Sequence, residues 1–354
     1  MAHSIALLPG DGIGPTVVDA AASLVERAAG SHGVEIEATT YPWGAEHYLE
    51  TGTVMPEDAI DRLAEHDAVL LGAVGHPEVD NADVARRGHH RIRRELDLWC
   101  NLRPAELLAD DVSPLAGYGR GDVDILWFRE NSEGAYVDAG GVLDRGGAHA
   151  PGERTGTQTA LFTESGVERI ARAAFEAATE RDRHVTSVTK SNVLSHGMAL
   201  WDDVVGAVSA EYPDVELETL FVDAANLRVV TAPERFDVAV APNLLSDVVT
   251  DATAGVVGGL GLAPSANVNP DADVPGMYEP VHGTAPDIAG EGVADPLATV
   301  LSGAMLLADL GEEAAAADLR DAVVAQLAAG APRTPDLGGS ATTADVVADL
   351  ADRL

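Results

Sequence analysis

An α/β fold with a parallel sheet is predicted from the way apolar strand-like runs alternate with segments of helical periodicity along the chain. The 354-residue length suggests two domains, and 46% hydrophobic residues are ample for a large core. Residues 4–8 read as a buried strand, followed by Pro9-Gly10-Asp11-Gly12-Ile13-Gly14-Pro15 and a helix with Val17, Val18, Ala21, Ala22, Val25 and Ala28 on its apolar face. Pro15 suits the first helical turn and Gly30 the stop. The glycines invite comparison with a dinucleotide-binding Rossmann turn, but Pro15 stands where the third glycine belongs, so that fold is rejected. Residues 34–40, a helix over 56–65, and 68–71 running into Gly72-Ala73-Val74-Gly75 continue the alternation. Residues 122–128 form a strand that delivers Arg129-Glu130-Asn131-Ser132-Glu133-Gly134-Ala135-Tyr136. Residues 140–156 are glycine-rich and read as an excursion or arm. Strands at 159–162, 185–188, 216–222 and 238–240, with helices over 164–178, 198–209 and an alanine-rich 313–330, complete the pattern.

Composition narrows the function. There are 58 acidic against 22 basic residues, and Lys190 is the single lysine beside 21 arginines, for a net charge of −36. A surface this carboxylated suits a salt-filled cytosol and reads as that of a halophile. At about 1 M ionic strength the Debye length is roughly 3 Å, which screens the self-repulsion. The same charge argues against a nucleic-acid or anionic-membrane partner. Cys100 alone rules out an intrachain disulfide or a thiolate metal set. With no basic leader, no small-residue cleavage site and no run of about 18 apolar residues, a soluble, cytoplasmic protein is expected.

Lys190, in Val188-Thr189-Lys190-Ser191-Asn192, is the first candidate for a general base. An amine can become neutral near physiological pH when desolvated or set beside cations, and a guanidinium cannot. The alternative is a surface lysine kept by chance. A basic island holds Arg86, Arg87, Arg91, Arg93, Arg94 and Arg103 against Glu95 and Asp97. Helical geometry turns Arg93 away from Arg91, so only some of these point inward together. Arg86, Arg87 and Arg94 read as a salt-bridged surface, Arg93 and Arg103 as anion-binding. Asp247 and Asp251 are four apart on one helical face, and Asp223 is read as the end of another strand. Three hard oxygen ligands without Cys or His favour Mg²⁺ or Mn²⁺. Two aspartates at that spacing also fit a solvated face. Val248, Val249, Ala252, Ala254, Val256 and Val257 favour a buried helix, where an unpaired carboxylate would be costly and a cation would offset the cost.

These segments join into one pattern. LLPGDGIGP, RRELDLWCNLRP, RENSEGAY, TKSN, NLLSDVVTD and GLGLAPSANV followed by EPVHGTAPDIAG occur in order, and over nearly its whole length the chain resembles the metal-dependent β-decarboxylating dehydrogenases acting on 3-isopropylmalate, isocitrate, and tartrate or D-malate. The resemblance implies a two-domain isopropylmalate-dehydrogenase-like fold, with residues 1–99 plus 260–354 as the cofactor domain and 100–259 as the substrate, metal and dimerisation domain, the site lying in the cleft between them. It implies that Arg93, Arg103 and Arg129 grip substrate carboxylates, that Lys190 is the base for the 2-hydroxyl and Tyr136 the acid for the enol, and that Asn192 lies near nicotinamide and substrate. Asp223, Asp247 and Asp251 are implied metal ligands, with Lys190 and Asp223 reaching into the partner's site of a homodimer. Glu279, His282, Gly283, Thr284, Ala285, Asp287 and Ile288 match the family's dinucleotide loop. Asp287 would accept bonds from ribose hydroxyls and repel a 2′-phosphate, which favours NAD over NADP. Asp295-Pro296 stands where the family has Asn-Pro, at the adenine side.

The tartrate/D-malate branch is the most similar in its motifs. His89-His90 occupies the place where isopropylmalate enzymes carry paired leucines, and imidazoles there would forfeit roughly 1.5 to 3 kcal/mol of apolar burial. A hydroxy-dicarboxylate with a small or polar C3 substituent is therefore expected. The alternatives are 3-isopropylmalate dehydrogenase of leucine biosynthesis and a non-catalytic, metal-stabilised acidic dimer.

Overall fold

The computed structural model describes residues 2–143 and 154–354. Two compact units emerge, Met1–Ile125 with Asp251–Leu354, and Leu126–Thr250.

In chain order the first unit contributes β1 (Ala2–Gly10), α1 (Gly14–Ser31), β2 (Glu35–Thr40), α2 (Ala45–Thr51), α3 (Ala59–Leu63), β3 (Ala68–Ala73), α4 (Asn81–Arg87), α5 (His89–Glu95) and β4 (Cys100–Glu106). The second unit follows with β5 (Asp124–Glu130), β6 (Gly134–Leu143), β7 (Thr155–Leu161), α6 (Glu164–Thr179), β8 (His184–Thr189), α7 (Gly197–Ser209), β9 (Glu216–Phe221), α8 (Val222–Thr231), β10 (Val238–Ala241) and α9 (Asn243–Val256). The chain then returns to the first unit with β11 (Pro264–Val268), β12 (Gly276–Pro280), α10 (Leu297–Asp309), α11 (Glu313–Ala329) and α12 (Thr343–Arg353).

Within the first unit the strands run β2-β1-β3-β12-β11-β4. The pairs from β2 to β12 are parallel, whereas β11 lies antiparallel to both β12 and β4, so this sheet is mixed. β4 belongs here because its residues pair with β11, which carries the first segment of this unit past residue 100 to Ile125. β1 and β3 are apolar on both faces and serve two cores. On one side α1, α10, α11 and α12 pack Leu24, Val25, Leu307, Leu319, Val323 and Leu350 against Ile5 and Leu70. On the other, Ile92 and Leu98 pack with Leu8, Leu71 and Met277. Ile92 is thus what seats α5 and fixes the direction of its arginines.

Within the second unit the order β5-β10-β8-β9 is parallel throughout. Trp127, Phe175, Trp201 and Val240 lie in its interior. β6 and β7 form a separate antiparallel ribbon. Of the glycine-rich stretch expected to be an arm, residues 144–153 lie outside the described residues; its flanks belong to this ribbon. Among the described residues no helix is long and apolar enough to cross a membrane.

Three expectations need correction. Residues 222–224 do not continue a strand: β9 stops at Phe221, and Asp223 sits in the first turn of α8, where a carboxylate meets the positive end of the helix. α9 is not buried all round. Val249 and Ala254 face inward while Val248 is 56% exposed, so only one side of this 14-residue helix is covered. The helix expected over 56–65 is only the five residues of α3.

Candidate active site

The second unit brings two groups of candidates together. β5 is parallel to β10, and their pairing ends with Arg129 opposite Ala241, just before α9 begins. Arg129 is almost wholly buried; its Nε and Nη2 donate to Asn243 Oδ1 at 3.0 and 2.7 Å, and its Nη1 pairs with Asp247 Oδ1. Asn243 and Asp247 are one turn apart on α9, so both reach the same guanidinium. The Tyr136 hydroxyl donates to Asp247 Oδ2 at 2.8 Å, and the guanidinium carbon lies 5.5 Å from the Tyr136 ring centroid. One carboxylate therefore holds both the Arg129 guanidinium and the Tyr136 hydroxyl.

Lys190 follows β8, and Asp223 follows the neighbouring, parallel β9, so the two side chains leave adjacent strand ends. Nζ and Asp223 Oδ1 are 2.5 Å apart. The ammonium's hydrogen bond, joined by a backbone hydrogen bond and the ammonium's charge, holds the Asp223 carboxyl below its ordinary value. Asn192 is exposed in the turn that follows. That turn is closed by the amides of Val193 and Leu194, which donate to the Lys190 carbonyl at 3.0 and 2.9 Å.

The first unit holds a buried polar chain. Arg103 Nε donates to Asn101 Oδ1 at 3.0 Å, Asn101 Nδ2 to Asn267 Oδ1 at 3.0 Å, and Asn267 Nδ2 to Glu279 Oε1 at 2.8 Å, where Arg93 pairs. The antiparallel register sets Asn101 opposite Asn267. Arg103 Nη1 also lies 4.0 Å from Asp251. Burial alone would raise the Glu279 carboxyl, but the charges of Arg93 and nearby His89, with hydrogen bonds from Asn267 and Arg93, outweigh it and hold the group at about 2. The His89 and His90 rings meet edge to face, 4.5 Å apart. Arg91, by contrast, pairs with Glu95 and the carbonyls of Pro56 and Glu57. Arg86 and Arg87 pair with Asp83.

After β12 the candidate cofactor loop continues through Val281 to Ile288. His282 Nδ1 lies 3.0 Å from the Gly283 carbonyl, its Nε2 is buried without a partner, and burial depresses its imidazole. The Thr284 carbonyl accepts from Ile13 N at 2.9 Å, and Ala285 and Ile288 pack on Ile13. Gly283 and Asp287 are exposed. Asp295 is buried ahead of α10, accepts from Leu297 N at 2.9 Å, and has its carboxyl pushed well up by burial and then by Asp336. Glu279 itself is bonded into the Arg93 cluster. Sequence reasoning missed Asn101, Asn243 and Asn267; helical spacing to Asp247 was the available signal for Asn243, and alternation with Arg103 that for Asn101.

Among the described residues of one chain no three His, Cys, Asp or Glu side chains are grouped to hold a metal. Asp247 and Asp251 offer hard oxygen donors one helical turn apart, and Asp223 is engaged by Lys190. That donor set fits a divalent cation only with a contribution from elsewhere, such as a second copy.

Comparisons with known proteins place the chain among the α/β oxidative decarboxylating dehydrogenases, a family whose members act on small hydroxy acids and depend in general on NAD and a divalent metal. Residues 4–350 match isocitrate/isopropylmalate dehydrogenase, and the chain belongs to that family. It is 43% identical over 352 residues to a probable tartrate dehydrogenase/decarboxylase of Bacillus subtilis, covering 99% of this chain and 97% of that one. It is 45% identical over 351 residues, with the same coverage, to a 3-isopropylmalate dehydrogenase of Thermobifida fusca. The crystal structure of isocitrate dehydrogenase from Methylococcus capsulatus superposes with a TM-score of 0.88 at 33% identity, covering 99% of both chains.

Proposed function

We propose that the protein oxidatively decarboxylates a 2-hydroxy dicarboxylic acid of the D-malate or tartrate type, with NAD and Mg²⁺ or Mn²⁺, as a homodimer whose protomers share active sites. The observation that carries the reading is the Arg129–Asp247–Tyr136 cluster, where one carboxylate orients both a substrate-gripping guanidinium and a proton donor. Arg93, Arg103 and Arg129 bind the substrate carboxylates. Lys190, as its neutral amine, accepts the 2-hydroxyl proton as hydride leaves C2 for the nicotinamide. Loss of CO₂ leaves an enolate, whose charge the arginines stabilise until the Tyr136 hydroxyl protonates C3. A divalent cation held by Asp247 and Asp251 with the partner's Asp223 would supply polarisation of the substrate's hydroxyl and carboxylate oxygens.

The dimer is supported by apolar side chains left exposed beside these groups: Leu227 and Val230 on α8, Leu244 and Val248 on α9. For the cofactor, the unpartnered Nε2 of His282 and the exposed Asp287 fit a polar dinucleotide better than an apolar ligand. The choice of acid rests on His89, which stands within electrostatic reach of Glu279 and would make a polar lining for a C3 substituent. The test is NADH production from D-malate, tartrate, 3-isopropylmalate and isocitrate with Mn²⁺ in concentrated KCl. D-malate or tartrate should give the highest kcat/KM; far faster turnover of 3-isopropylmalate would overturn the choice.

A further inference from the structure

The glycine-rich turn between β1 and α1 has no place in the chemistry above, yet it is among the most tightly held segments of the first unit. Asp11 is 1% exposed, and its carboxylate accepts the amides of Ala45, Glu46 and Gly75, each at 2.8 Å. Those amides come from the start of α2 and the loop after β3, so one side chain ties three chain segments together. The turn's own amides are engaged as well. Asp11 N donates to the Ala73 carbonyl at 2.7 Å, Ile13 N to the Thr284 carbonyl at 2.9 Å and Gly14 N to the Asp11 carbonyl at 2.9 Å. Amides already donating to protein carbonyls are not offered to a phosphate, so these three do not form a phosphate cradle.

What the turn does touch is the loop from Val281 to Ile288. Gly12 has φ +62, and a Cβ on it would stand 2.2 Å from the Thr284 carbonyl oxygen, so the two backbones meet in van der Waals contact that only glycine permits. The Ile13 side chain forms a small separate apolar cluster with Val17, Ala294, Ala285 and Ile288. Ala285, between these contacts, has φ +38, a conformation that a residue with a Cβ holds only where its surroundings impose it. We propose that Gly12 and Ile13 are positioning residues: the turn, anchored by Asp11, imposes on residues 284–288 the shape in which they bind the dinucleotide. This rests on reading that loop as the cofactor loop.

The test uses the full-length protein in concentrated KCl and the variants Gly12→Ala, Ile13→Ala and Ile13→Val. Hydrogen exchange is followed across residues 282–288, NAD and Mn²⁺ affinities are measured by titration calorimetry, and the melting temperature is recorded. Gly12→Ala and Ile13→Ala should speed exchange in the loop and weaken NAD binding by about tenfold or more, as displacements on the order of 1 Å do, with Mn²⁺ affinity unchanged. Ile13→Val should restore both to near the parent values. Parent-like loop exchange in folded Gly12→Ala or Ile13→Ala protein would overturn the positioning role. Faster loop exchange with unchanged NAD affinity would instead overturn the cofactor reading of the loop. Should Gly12→Ala not fold, the Ile13→Ala and Ile13→Val pair decides by the same criteria.

Discussion

Replacing Glu279 by glutamine probes the buried polar chain of the first unit. Glu279 and Arg93 are both close to fully buried, and the carboxyl is held at about 2 against an ordinary 4.5. At about 1.4 kcal/mol per pH unit, that difference is worth about 3 kcal/mol of stability. Because the folded value is depressed, the contribution is fully present above pH 4.5 and is lost as the pH falls toward 2. Glutamine keeps an acceptor for Asn267 but leaves the Arg93 charge buried without a counter-ion, a change that typically costs about 3–5 kcal/mol. Urea unfolding of the parent and Glu279→Gln proteins, at fixed high KCl and at intervals from pH 7 to pH 2.5, measures this directly. The stability gap should be about 3 kcal/mol at pH 7 and should narrow steadily below pH 4.5. A gap independent of pH would refute the assignment of that stability to an ionised Glu279.

Further substitutions test the other groups. Lys190→Met should abolish NADH production while circular dichroism and melting temperature stay near the parent values, since the side chain is partly exposed and pairs with the more exposed Asp223. Tyr136→Phe removes the donor to Asp247 and should lower kcat by about 10²- to 10⁴-fold, with a smaller effect on the substrate KM, in steady-state assays. Asp11→Ala strands three amides at about 1–3 kcal/mol each, so its urea midpoint should fall sharply. Replacing His89 and His90 by leucine should shift the ratio of kcat/KM from D-malate toward 3-isopropylmalate by about 10- to 100-fold, the equivalent of roughly 1.5 to 3 kcal/mol of apolar burial.

Much of this molecule could be read from local pattern. The strand and helix alternation located β1, α1, β3, α6, α7 and α9 because each is a run whose periodicity depends only on its own residues. The opposed directions of Arg91 and Arg93 followed from helix geometry alone, and the structure pairs them with Glu95 and Glu279 respectively. Long-range features were not legible. The Arg103–Asn101–Asn267–Glu279–Arg93 chain exists only through the antiparallel register of β4, β11 and β12, which nothing in the separate strands specifies. The apolar neighbours of Val248 predict burial, but a helix covered on one side leaves it exposed on the other. Asp223 reads as the end of a strand because the apolar Leu220-Phe221-Val222 before it gives no sign of where α8 starts. α12 was missed despite a readable signal, Thr342 followed three residues later by Asp345, which forms a capping box.

Mixing two inactive proteins, Lys190→Met and Asp247→Asn, and allowing their subunits to exchange tests most directly whether the base of one protomer serves the carboxylates of another. In a mixed dimer with shared sites, one site regains both an intact Lys190 and an intact Asp247, so an equimolar mixture should recover about a quarter of the parent activity. No recovery, with exchange verified by mass, would mean that each chain completes its own site and would contradict the shared-site mechanism.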